Sequence, residues 1–68
     1  MELSVLVLED DTNYQGILVF VLEDAEYSAY GVSSAAEAIA AVDEAETRGE
    51  PFDIVLADVR MAGGMDGI

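Results

Sequence analysis

The stretch SVLVLEDD, residues 4–11, runs an apolar, valine-rich segment straight into three consecutive acids. Residues 3–8 are too short for a buried helix and rich in β-branched side chains, so they read as a buried strand. Delivering carboxylates at the end of such a strand is costly unless negative charge is needed there. Asp11, Thr12 and Asn13 then offer N-cap chemistry. Behind them, Tyr14, Ile17, Leu18, Val21 and Leu22 recur at helical spacing, predicting a helix over about 12–25 that fades near Asp24 to Glu26.

Working outward, residues 27–32 form a second, weaker strand. Ser34 and Glu37 match a capping box, in which hydroxyl and carboxylate reciprocally satisfy orphan amides. A helix over about 34–48 follows, with Ala38, Ile39, Val42 and Ala45 as its apolar stripe. Gly49 suits the left-handed position after a helix end, and Pro51 prevents continuation. Residues 52–58 read as a third strand closed by Asp58, and the remaining segment VRMAGGMDGI is loop-like.

Strands alternating with helices in the order β-α-β-α-β predict an α/β fold with a parallel sheet and right-handed crossovers. The first and third strands then point the same way and both end in acid. Ligands of open α/β sheets sit beyond the carboxyl ends of the strands. Glu9, Asp10 and Asp58 are therefore expected to converge on one pocket. The neighbouring register, Asp10 with Asp11, is the alternative pair.

Composition removes several functions. The 68 residues carry 15 acids against 2 basic residues, Arg48 and Arg60, for a net charge of −13. A nucleic-acid interface needs a basic footprint to displace counterions, and an anionic membrane needs the same, so neither partner is expected. No stretch approaches the roughly 18 apolar residues of a membrane span. With no histidine and no cysteine, imidazole catalysis, thiol nucleophiles and disulfides are excluded and zinc is disfavoured. Absence of cysteine points to a reducing cytoplasm. Most of the acids are read as solvated helix faces; Tyr14 is read as packing.

Converging carboxylates repel one another, and a hard divalent cation relieves that repulsion. Mg²⁺ takes oxygen ligands, commonly one or two carboxylates completed by water and phosphate, and neutralises charge on a phosphoryl group in transfer. The acidic pair after the first strand, together with DIVLADVRMAGGMDGI at residues 53–68, resembles the receiver domain of two-component response regulators. The resemblance covers the N-terminal half of that domain, a doubly wound, flavodoxin-like sheet of strand order 2-1-3-4-5.

The resemblance implies a phosphorelay role. Asp58 corresponds to the phosphoacceptor, receiving a phosphoryl group from a sensor histidine kinase or phosphotransfer protein. Asp10 corresponds to the direct Mg²⁺ ligand, Glu9 to its partner acid, and the backbone carbonyl of Arg60 to the third protein oxygen. Met61, Met65, Asp66 and Gly67 fall near the family's spacing. Two features depart from the pattern: Ala62 follows Met61 where proline is usual, and Gly63-Gly64 lengthens the loop.

The family's later Ser or Thr and its Lys have no counterpart in these residues, and the chain contains no lysine. Ile68 is accordingly expected to be a cut end. The alternative is a degenerate receiver acting as a dimerisation or kinase-docking module, pairing two copies through the edge of the third strand. A Mg²⁺-dependent nucleotide hydrolase is the third reading, weakened by the lack of a phosphate-cradling glycine loop.

Overall fold

A computed structural model describes residues 2–57. The elements are β1 (Ser4–Leu8), α1 (Thr12–Asp24), β2 (Ser28–Val32), α2 (Ala35–Thr47) and β3 (Ile54–Ala57). The fold is α/β, with one parallel sheet of order β2-β1-β3. Chain travel reverses direction across the sheet after β2, and with right-handed crossovers such a reversal sends successive helices to opposite faces. The clefts agree. Tyr14 and Leu18 of α1 face Leu56, whereas Ala38 and Val42 of α2 face Leu6 and Val55.

The core is the central strand. Val5, Leu6 and Val7 are buried, with Val32 and Ala45 beside them. A continuous apolar run is what a strand covered on both faces requires. The ladder extends past the strand ends: Glu9 donates its amide to the Val32 carbonyl at 3.0 Å, and Ser28 donates to Leu3 at 2.8 Å. Asp53 stands just before β3. Its amide donates to the Ser4 carbonyl at 2.8 Å, while its Oδ2 accepts the Ser4 amide at 2.8 Å. The expected start of the third strand at residue 52 therefore moves to Ile54, and its expected end at Asp58 lies outside the described residues.

Both helices close in the same way. Gly49, at φ +76°, donates to the Glu46 carbonyl and Glu50 donates to that of Ala45, a Schellman ending on α2. After α1, Glu26 donates to Glu23 and Tyr27 to Leu22, with Glu26 at φ 73°. A non-glycine residue there bears a left-handed conformation that costs about 1–2 kcal/mol. Glu26→Gly is expected to stabilise the fold by about 1 kcal/mol. Urea denaturation measures this, and an unchanged or lowered midpoint would contradict it.

The expected capping box is shifted by one residue. Ser34 Oγ accepts the Glu37 amide at 3.2 Å, as predicted, but Glu37 Oε1 accepts from the Ser33 amide at 2.8 Å rather than from Ser34. The apolar stripe of α1 is also rotated. In α1, Gln15, Leu18, Val19 and Leu22 are half-buried, whereas Tyr14, Ile17 and Val21 are exposed. In α2 the expected stripe holds at Ala38, Val42 and Ala45, and Ile39, 70% exposed, falls outside it. The cause is where the helices sit: both pack over β1 and β2, and neither lies over β3. Side chains turned toward β3 are left overlooking open clefts. All of β3 is exposed, including Ile54, Val55 and Leu56.

Among the described residues, no helix is long and apolar enough to cross a membrane. The Arg48–Glu44 ion pair, 3.7 Å across one helical turn, is largely exposed on both sides and contributes little.

Candidate functional site

The carboxyl ends of β1 and β3 border a cleft of about 520 Å³ lined by Leu8, Glu9, Asp11, Tyr14, Leu56 and Ala57, with Leu18 below. Its acidic wall is the continuation of β1. Glu9 is 1% exposed. Burying a carboxylate is expensive unless its oxygens are held, and Glu9 Oε2 accepts the Asp11 amide at 2.9 Å. That bond folds the chain back at the strand end, so the turn into α1 is organised around the Glu9 side chain.

Asp11 is the N-cap of α1. Its Oδ1 accepts the amides of Asn13 at 3.0 Å and Tyr14 at 3.1 Å, which satisfies two of the helix's orphan donors. The expected capping role of Asp11 is met, and the same residue borders the cleft. Asp10, between them, is exposed. The structure thus brings Glu9 and Asp11 to the cleft wall and leaves Asp10 exposed at the turn between them. Asp58 and Arg60 lie outside the described residues, as do Met61, Met65, Asp66 and Gly67. Asp58 follows Ala57, the cleft-lining end of β3, directly in the chain.

Gln15 is the participant that sequence reasoning missed. Its Nε2 lies 2.9 Å from the Glu9 carbonyl, 2.8 Å from the Val32 carbonyl and 3.3 Å from Ser33 Oγ. An amide group has two hydrogens, so the two carbonyls take the short bonds and the hydroxyl shares at longer range. Carbonyls only accept, which fixes which end of the amide faces them. The side chain reaches them by crossing Gly31: a Cβ built at Gly31 would meet the Oε1, Cδ and Cγ of Gln15, the last two at 2.7 and 2.9 Å. A polar residue on the sheet-facing side of an otherwise apolar helix was the available signal.

The carboxylates at this end suit a hard cation: Glu9 and Asp11 line the cleft, Asp10 is exposed between them, and the chain has neither histidine nor cysteine. Among the described residues, no group of three or more acidic, histidine or cysteine side chains forms a complete cation cage. In comparisons with known proteins, the chain matches no family model, no curated protein and no solved structure.

Proposed function

We propose that this chain is the phosphoacceptor part of a receiver-type, flavodoxin-like domain in a phosphorelay. The observation that carries the reading is the buried Glu9 at the end of the central strand, on the wall of a cleft whose opposite wall ends one residue before Asp58. An α/β sheet of order β2-β1-β3 places the ends of β1 and β3 side by side, the position where such sheets take ligands.

In the proposed reaction, a carboxylate oxygen of Asp58 attacks the phosphorus of a phosphohistidine on a kinase or phosphotransfer protein. A P–O bond forms, the P–N bond breaks, and the imidazole leaves with the electron pair and takes up a proton. Glu9, Asp10 and Asp58, with the backbone carbonyl of Arg60, would hold Mg²⁺. That ion would supply charge neutralisation on the transferring group. This chain's own part is to keep Glu9 out of water at the cleft wall and to fix the turn through Asp11. Incubation with acetyl phosphate and Mg²⁺ tests the reading: the intact mass is expected to rise by one phosphoryl group, and chelation of the metal to prevent it. An unchanged mass with Mg²⁺ present would overturn it.

The exposed strand β3 favours a second reading, a self-pairing or docking module with no phosphoryl chemistry. Ile54 and Leu56 project from one face and Val55 from the other, and neither helix covers them. An open apolar edge of this kind pairs readily with another chain. Sedimentation of the full chain as a dimer that Val55→Lys dissociates would support this reading; a monomer at all concentrations would remove it.

A further inference from the structure

We infer that Gln15 is a positioning residue for the acidic turn: its amide clamps the carboxyl ends of β1 and β2 and so sets where Glu9 and Asp10 present their oxygens to a cation. The inference rests on the phosphoacceptor reading above and adds to it a residue outside the acidic cluster, together with Gly31 as its seat. Three observations bear on it. The two short bonds go to Glu9 and Val32, the residues that close the last rung of the β1–β2 ladder. The third, longer contact reaches Ser33, at the start of the next connection. One side chain therefore ties together the connections that follow β1 and β2.

The glycine is fitted to that clamp. Gly31 pairs with Val7 in the parallel register and lies on the same sheet face as α1. The three atoms nearest to a Cβ built there all belong to Gln15, and the contact reaches back to Cγ, so no rotation of the amide alone would clear it. Any side chain at position 31 displaces Gln15 from its carbonyls. The Glu9 carbonyl and the Glu9 carboxylate share one residue, so a backbone released at the first is free to turn at the second. Residues that orient a metal's ligands without touching the metal typically set its affinity over about 10–100-fold.

The test uses Mg²⁺ alone as probe and reads amide chemical shifts of Glu9 to Asp11 in the full chain during titration. Gln15→Ala is expected to raise the Kd about tenfold. Gly31→Ala is expected to raise it similarly while Gln15 is intact, and to add nothing once Gln15 is alanine. That dependence separates positioning from a general loss of stability, which would make the two changes add. Circular dichroism at each titration point confirms that the variants are folded, and the double variant serves where Gly31→Ala alone is not. Wild-type binding with an unchanged Kd in folded Gln15→Ala would overturn the positioning role and leave the phosphoacceptor reading standing. No wild-type response to Mg²⁺ would overturn both.

Discussion

The Asp58→Asn variant is expected to take up no phosphoryl group under conditions in which the unaltered chain is modified. The reason is electronic rather than steric. A carboxylate oxygen is an anionic nucleophile, whereas the carboxamide of nearly the same shape carries no charge and its nitrogen lone pair is delocalised into the carbonyl. In the proposed site the same change would also remove one negative charge from around the cation, so both the nucleophile and the hold on the metal would be weakened together. Intact-mass measurement after treatment with acetyl phosphate and Mg²⁺ reads the outcome. Asp53→Asn is the matched control. Asp53 lies at the opposite end of the sheet, where it bonds the Ser4 amide, and its loss should leave incorporation unaltered. Phosphoryl uptake retained by Asp58→Asn would place the acceptor elsewhere and overturn the assignment.

Much of the scaffold was legible because it is written in local chemistry. The apolar, β-branched run before Glu9 reads as a covered strand, and Ser34, Gly49 and Pro51 mark helix ends through local backbone requirements. What was not legible depends on neighbours. The buried face of α1 was misjudged by one position and Ile39 was wrongly included in that of α2, because periodicity reports that an apolar stripe exists but not which strands lie beneath it. Tyr14, Ile17 and Ile39 complete good helical patterns and are exposed all the same, since neither α1 nor α2 lies over β3. Glu26 holds a left-handed position that sequence rules reserve for glycine.

The site shows the same division. That the acids sit at the end of β1 follows from the run itself. How they share the work does not. Glu9 is buried, Asp10 exposed, and Asp11 caps a helix, although the three are adjacent and chemically alike. Alternation explains part of this: Glu9 continues the Val5–Val7 face toward α1, and the chain turns immediately after it. Gln15 escaped notice because its partners are backbone carbonyls from residues 9 and 32. No side-chain pattern in the sequence encodes a bond to a carbonyl; a polar residue on the sheet-facing side of α1 and the glycine at position 31 are the two hints that something crosses the strand there.

Leu6→Ala is expected to be the most destabilising single change in the described residues, at about 2–5 kcal/mol. Leu6 is fully buried in the central strand, between Tyr30 and Val55 in the register, and faces α2. Its loss removes the transfer energy of the side chain and leaves a void that two strands and a helix hold open. A cleft of about 350 Å³ already lies beside it, lined by Val42 and Val55, so collapse onto the vacancy has little material to draw on. A domain's whole stability is commonly about 5–15 kcal/mol, and a core this small stands toward the low end. Leu6→Ala is therefore expected to bring the chain close to its unfolding midpoint without denaturant. Val55→Ala is the informative contrast: the same sheet face, one strand over, but 55% exposed, so its truncation removes little buried area. Urea denaturation of the two variants reads the difference. If Val55→Ala cost as much as Leu6→Ala, β3 would have to be covered in solution, and the search for what covers it would begin with the second copy of the chain.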